Sequence, residues 1–405
     1  MTDTQPPHAS GTHASPTAHD DTAWERAHAA PGDWRGRARR RLARRWKLGV
    51  GLGIVSAFYV VAALANFIAP YDASEQSRQQ PFAPPTVVRL RDREGRWHAR
   101  PFFYRLRLAD PLARTYSEDT GARFSIALFT RGHSYKLFGL FPTDRHLFGV
   151  ARDSRPDTGE SQKADASPSA PTLERVYLLG TDEFGRDRLS RLLMASRFSL
   201  AVGPLGTLVA GVVGVFLGCV SGYAGRRVDA LLMRAADAML ALPDLVLILA
   251  ARAAFPLVLP PAQAGMLLIA IFVAIGWAEM ARLARGMVLG LREREFVLAA
   301  VSLGLSETRI LFRHILPNAS RPLVVQLSLM LPAFLLAETA LSFLGVGVQE
   351  PAASWGNMLI PAGNLTLLAQ QPLVLLSPAF AIFLFVLGVR LLSDGLRRDG
   401  DLRAP

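Results

Sequence analysis

Ionisable side chains spaced for chemistry stand in two places, Asp182, Glu183 and Asp187 within YLLGTDEFGRDRLSRLL (177–193), and Glu338 within AETALSFLGVGVQEPAASWGNML (337–359). Three carboxylates in six residues are what a metal ion or an acid/base pair would use. Arg186, Arg188 and Arg191 interleave with them at near-helical spacing, however, so mutual pairing on an interfacial helix explains the pattern without a metal. Glu338 and Asp244 both interrupt strongly apolar runs. A carboxylate there signals either function or pairing, because an uncompensated charge in lipid is costly. Arg252 and Arg282 are the candidate partners of Glu338. Asp244 and Arg252 are eight residues apart, roughly two helical turns, which puts them on similar faces but out of direct reach.

Other chemistry is excluded by what is missing. A phosphate-cradling loop needs Gly-Lys followed by Ser or Thr, and none of Lys47, Lys136 and Lys163 follows a glycine. There is no Gly-x-Ser-x-Gly elbow, no His-Glu-x-x-His and no cysteine pair, Cys219 being the single cysteine. His8, His13, His19 and His28 are irregularly spaced without Cys partners and read as a solvated tail. No catalytic residue, cofactor or metal is expected.

The elements that must hold these residues are membrane spans. Of 405 residues, 50% are hydrophobic, and uncharged runs extend over Leu48 to Tyr71, Ser199 to Gly225, Phe255 to Ala278, Pro322 to Ala337 and Pro351 to Val389. Each approaches or exceeds the roughly 20 residues that a bilayer-crossing helix needs. Spans are expected near 47–70, 199–223, 239–258, 264–281, 320–346 and 370–393, six in all and all α. The net charge of +12 is carried mainly by arginine and sits beside the ends of these runs, without the aromatic interleaving of a nucleic-acid surface. Arg226, Arg227, Arg234, Arg282, Arg285, Arg292, Arg294, Arg309, Arg313 and Arg390 fall on one side, whereas 256–264 and 347–371 contain no Lys or Arg. Both termini are therefore expected in the cytoplasm.

Residues 1–46 are expected to form a disordered tail that turns basic from Arg35, and residues 397–405 a second tail. Between the first two spans, 71–176 is an insert with no spanning candidate. Alternation in 86–92, 102–108 and 122–130 predicts short strands, and the Ser, Asp, Pro and Gly of 151–173 predict a linker. Residues 177–198 are an interfacial segment, and 199–396 make up the main transmembrane domain. Within it, Gly214, Gly218 and Gly222 lay a close-approach stripe along one helix face, for packing within this chain or on a partner.

The stretch LAAVSLGLSETRILFRHILP (298–317) resembles the cytoplasmic docking loop of ABC-importer permeases, which runs Glu-Ala-Ala, three residues, Gly, nine residues, Ile, one residue, Leu-Pro. Ala299, Ala300, Gly304, Leu316 and Pro317 fall on that pattern, while Leu298 replaces its Glu and His314 its Ile. GWAEMARLARGMVLGLREREF, RHILPN, the GTDEFGRD segment and the 337–359 stretch are similar to the dipeptide and oligopeptide branch, second permease subunit. The resemblance covers about 177–400 and the first span.

It implies a type I importer permease fold of six helices in the inner membrane, forming half of a pathway for peptides or similar solutes. It further implies a second homologous permease, two ATPase subunits that carry all ATP hydrolysis, and an extracytoplasmic solute-binding protein. The loop 282–317 would couple to the ATPases through Ala299, Ala300, Gly304, Leu316 and Pro317. Gly180, Thr181, Asp182, Gly185, Arg186 and Asp187 would form a lip at the external mouth. Two other readings stay open, an ion-coupled transporter acting alone, which would need acids in paired halves, and an anchored external receptor or enzyme built on the insert. Asp72, Asp92, Asp110, Asp119 and His133 show no catalytic spacing.

Overall fold

The structure is a computed structural model and describes residues 34–110, 115–151, 175–223 and 225–396. Residues 1–33 of the expected tail, with its four histidines, residues 397–405 and nearly all of the expected linker lie outside those residues, whereas 34–46, expected to be disordered, are helical. Residues 1–46 form one unit, described from Trp34 onward, where helix α1 (Trp34–Ala63) begins. Residues 47–405 form the second unit, which contains everything below.

Among the described residues five helical stretches are long and apolar enough to cross a membrane: Arg45–Ala63, Arg188–Tyr223, Pro261–Arg292, Glu307–Phe343 and Leu376–Leu396. They belong to α1, α3 (Arg188–Tyr223), α6 (Pro261–Arg292), a composite ending in α9 (Leu316–Phe343), and α11 (Pro372–Leu396). A short helix α2 (Ala65–Ile68) follows α1. Between α3 and α6 come α4 (Arg226–Leu240) and α5 (Asp244–Ala253). Between α6 and α9 come α7 (Glu295–Ser302), α8 (Glu307–Ile310) and a π-helical turn at Leu311–Ile315. A 3-10 turn (Asn357–Gly363) and α10 (Leu365–Gln370) precede α11.

The single span expected at 239–258 is instead two helices with a break at 241–243. Pro243 explains the break, since it has no N–H to give and disfavours helical geometry at Leu242. The ten residues of α5 rise only ~15 Å, about half the hydrocarbon thickness. The expected coupling loop 282–317 is also shorter than anticipated, because α6 continues to Arg292.

Glycines fix how the long helices run. A β-carbon on Gly214 would lie 2.6 Å from Met280, one on Gly218 2.7 Å from Ala284, and one on Gly222 2.6 Å from Val288. Residue numbers rise together, so α3 and α6 are parallel, and the chain between them must return to the end where it began. The apolar core between these helices and α9 includes Val202, Leu268, Phe272, Met330 and Phe334, the last stacked on Phe272 at 4.7 Å. Gly51 packs on Gly388 and Gly395 on Leu48, which makes α1 and α11 antiparallel. Lys47 and Asp394 meet at 3.4 Å, so both extremities of this unit lie at one end of the bundle.

At the opposite end the insert carries a sheet ordered β1 (Arg89–Arg91), β2 (Trp97–Asp110), β3 (Thr115–Leu128), β6 (Phe148–Val150), all antiparallel, and a separate hairpin of β4 (Arg131–Leu137) and β5 (Phe141–Arg145). Phe103 and Phe124 face each other across β2 and β3 and pack with Val176.

Because the α3–α6 contact leaves no room for a side chain, Gly218→Val should lower the melting temperature of the detergent-purified protein. Overpacking of this kind costs about 1–3 kcal/mol. Gly53→Val, at a glycine with open space around it, should leave the temperature unchanged.

Candidate functional site

At the insert end, 177–187 is not a helix. Thr181 and Asp187 form an isolated antiparallel bridge, and α3 starts only at Arg188. Gly180 and Gly185 have φ of +74° and +72°, a region a side chain resists, and each abuts a carbonyl of the chain that follows the first span, Ala83 and Ser77 respectively. Thr181 Oγ1 accepts the Ala83 N–H at 2.7 Å and donates to the Gln80 carbonyl at 2.6 Å. The signature therefore clamps 77–86 against the head of α3.

Asp182 accepts the backbone N–H groups of Phe184 and Arg186 at 2.9 Å and the Arg186 Nε at 2.6 Å. Arg186 and Arg191, both buried, reach across to Glu350, with Arg191 Nη2 donating at 2.8 Å. The expected acid–base pairing thus occurs on a turn rather than an interfacial helix, and it ties the start of α3 to the loop after α9. Glu350 escaped the sequence reading because it lies about 160 residues from its partners. Asp187 caps α3, accepting from Ser190 N at 2.8 Å and Ser190 Oγ at 2.6 Å. Burial nevertheless pushes its carboxyl up to about 6.

Glu338 is fully buried, and neither Arg252 nor Arg282 is its partner. Arg252 donates to the carbonyls of Pro256 and Leu257, closing its own helix, and Arg282 pairs with Asp237. Arg252 is engaged by the chain that leaves its own helix, and Arg282 by α4, so neither reaches Glu338. Ser342 Oγ instead donates to Glu338 at 2.8 Å, and the hydroxyls of Ser199 and Ser354 also face the carboxyl. Ser199 Oγ and Ser354 Oγ accept the N–H groups of Trp355 and Asn357, which leaves their protons for the carboxylate. Three segments, α3, α9 and the loop at 354–357, converge on this one side chain. Asp244 is exposed at the head of α5 and joins no such cluster.

The glycines Gly214, Gly218 and Gly222 face α6 of the same chain, as described above. At the end away from the insert, α7 buries Val297 and Ala300 against Cys219, Val288, Ile310 and Ile315. Phe296, Leu298, Ala299, Val301 and Leu303 are left exposed. Gly304 stops α7 at φ +73°, with its N–H donating to Val301 O at 2.9 Å and that of Leu305 to Ala300 O at 3.2 Å, the Schellman arrangement. Leu316 and exposed Pro317 open α9 immediately after the π turn. Arg292, Arg294, Arg309 and Arg313 are exposed around this loop. An ion pair of Arg285 with Asp229 fixes α4 beside it.

Two outcomes are expected from the buried carboxyls, both read as thermal unfolding in detergent. Asp187 keeps its proton to about pH 6 when folded but to only 3.8 when unfolded, so the folded state binds more protons between those values. Stability therefore falls as pH rises from about 4 to 6 and is flat above. Asp187→Asn, which keeps the cap, should remove that slope, worth on the order of 2–3 kcal/mol. Glu338→Ala should cost about 2–5 kcal/mol through a cavity and stranded hydroxyls, whereas Glu338→Gln should stay within about 1 kcal/mol of the parent.

Comparison with known proteins places this architecture. Residues 214–399 match the family described as binding-protein-dependent transport system inner membrane component, and residues 34–85 the N-terminal TM domain of oligopeptide transport permease C. The chain is 39% identical over 241 residues to the dipeptide transport system permease protein DppC of Alkalihalophilus pseudofirmus, covering 58% of this chain and 76% of that one. It is 35% identical to the oligopeptide transport system permease protein OppC of Haemophilus influenzae (60% and 75% covered) and 37% identical to OppC of Bacillus subtilis (58% and 72%). A solved structure of the methionine ABC transporter MetNI in an inward-facing form aligns with 51% of this chain and 94% of that one, at a TM-score of 0.36 and 15% identity, too distant to define the fold. The insert from residue 86 onward falls outside both family matches, as 86–213 is covered by neither. The parallel pair, the clamped head of α3 and the loop before α9 are thus those of a multi-pass permease subunit, and the chain belongs to the family of binding-protein-dependent transport system inner membrane components, of the oligopeptide permease C type.

Proposed function

We propose that this permease takes up peptides or similar small solutes, as half of a translocation pathway completed by a second homologous permease, two ATPase subunits and an external solute-binding protein. The observation that carries the coupling assignment is the exposed apolar face of α7. Phe296, Leu298, Val301 and Leu303 face outward from a helix anchored by Val297 and Ala300 and ended by Gly304. Four such residues on eight positions suit burial in a protein groove. In this reading ATP binding draws the ATPases together, and α7 passes the motion through the π turn into α9, switching a two-state core.

The chain crosses the membrane six times in this scheme, with α4 and α5 jointly making the third crossing. Support comes from the parallel α3 and α6, since two parallel spans need a crossing between them, and from Lys47 and Asp394 sharing one end. That end, with the basic loops, is cytoplasmic, and the insert is outside. Gly180, Thr181, Asp182, Gly185, Arg186 and Asp187 then stiffen the external mouth, and Glu338 pins the mouth's loop instead of lining the pathway. The peptide assignment follows the relatives, which are named as dipeptide and oligopeptide transport permeases. An apolar groove of about 710 Å³ between α3 and α8–α9, lined by Leu208, Gly211, Phe216, Phe312 and Leu327, is the face offered to the second permease.

With Cys219 replaced by serine, a single cysteine at Leu298 or Leu303 should crosslink to the ATPase subunit in the assembled transporter. Gly304→Glu should insert normally yet reduce uptake and ATPase association at least about tenfold, the consequence of ~1.4 kcal/mol lost at the left-handed turn. Unchanged uptake in that variant, or labelling of Leu298→Cys only from outside the cell, overturns the assignment.

A further inference from the structure

Neither family match covers the insert beyond residue 85, and its β4–β5 hairpin and the residues leading into it hold apolar side chains in solvent-facing positions. Leu128, Phe129, Phe138, Leu140 and Phe141 are each between 58 and 75% exposed. Phe129 and Phe138 have φ of +55° and +53°. A bulky residue in the left-handed region costs about 1–2 kcal/mol. The hairpin turn is the three residues Phe138, Gly139 and Leu140, and its first position holds a phenylalanine in the left-handed region, where Gly or Asn is the usual occupant. Strain of this sort persists where it places a side chain that is used.

The hairpin is rooted on the end of the first span. Leu147 N donates to the Phe67 carbonyl at 2.8 Å, His146 Nδ1 lies 2.6 Å from the Ala69 carbonyl, and the rings of Phe67 and Phe129 are 6.2 Å apart. Phe67 belongs to α2, one residue beyond α1. The root therefore sits at the depth where the bilayer gives way to water. Its charges suit that depth, because Arg131, Lys136 and Arg145 accompany the apolar residues and Asp144 is the one acid between 131 and 145.

We infer that the β4–β5 hairpin lies on the same bilayer that α1 crosses, with Phe129 at its root and Phe138, Leu140 and Phe141 at its tip sunk into the interfacial layer and its basic residues on anionic headgroups. Aromatic and aliphatic side chains flanked by cations form the pattern that holds a segment at a membrane surface. The occupant of this apolar face is lipid, and a docked protein is the outcome that would refute it. The inference is independent of the solute and of which side the insert occupies.

The test uses the assembled transporter in nanodiscs containing anionic lipid, with Cys219 replaced by serine and one fluorophore attached at Leu140→Cys, Phe138→Cys or, as a control on the sheet, Arg107→Cys. Brominated lipids should quench the labels at 138 and 140 and not at 107, and aqueous iodide should do the reverse. If iodide quenches 138 and 140 as fully as 107, the hairpin stands in water and the inference fails. It fails equally if both labels resist both quenchers, or lose iodide access only when the solute-binding protein is added, since a protein then covers the face.

Discussion

Two parallel helices in lipid cannot approach closely unless side chains are removed from their contact, and α3 and α6 approach so closely that β-carbons at 214, 218 and 222 would collide with the facing helix. With no water to expel between apolar helices, dispersion at short range holds such a pair together. Parallel direction then constrains the rest of the chain. The connection must return from one end of that pair to the other, and in the six-span scheme proposed above α4 and α5, broken at Pro243, are the path. Non-helical backbone at such depth is tolerable only where its polar groups find partners inside the protein. At the far end of α5 Arg252 does this, its guanidinium bonding three successive carbonyls beyond the helix.

The two ends of the bundle are built on opposite principles. The insert end is polar, with Arg186 and Arg191 shared between Asp182 and Glu350, and Glu338 bonded by Ser342 and faced by the hydroxyls of Ser199 and Ser354. Buried charges and hydroxyls bonded this densely have few alternative arrangements, so the segments they join move together. The other end sets, among exposed arginines, a short helix whose outward apolar face has nothing against it among the described residues. A π turn joins the segment after α7 to α9, and the far end of α9 carries Glu338.

Much of this was legible in the sequence. Five of the six spans expected from the long apolar runs lie near their observed positions, because a span is a one-dimensional signal, and the GTDEFGRD and loop signatures led to the family. Gly304 and the 214–222 stripe were visible because glycine declares a backbone need. What escaped was three-dimensional. Glu338 looked as if it required an arginine, yet hydroxyls of Ser199, Ser342 and Ser354 surround it, and serine is too common for its role to show in one sequence. Glu350 was not singled out and proves to be a bridge. The 239–258 run looked continuous because hydropathy averages over Pro243, whose effect is steric. The insert's strands run longer than the alternation suggested, since bulges after Tyr104 and Leu108 interrupt the two-residue period without ending the pairing.

The meeting of Lys47 with Asp394, and of Leu48 with Gly395, has a topological corollary. The membrane body begins and finishes at one spot, so its path is nearly a closed circuit, and the place where that circuit is cut is not dictated by the packing. A few linking residues would span the gap, leaving every helix neighbour unchanged while new extremities opened at a surface turn elsewhere. What the architecture demands is the cyclic succession of rods, and the seam is a matter of gene order.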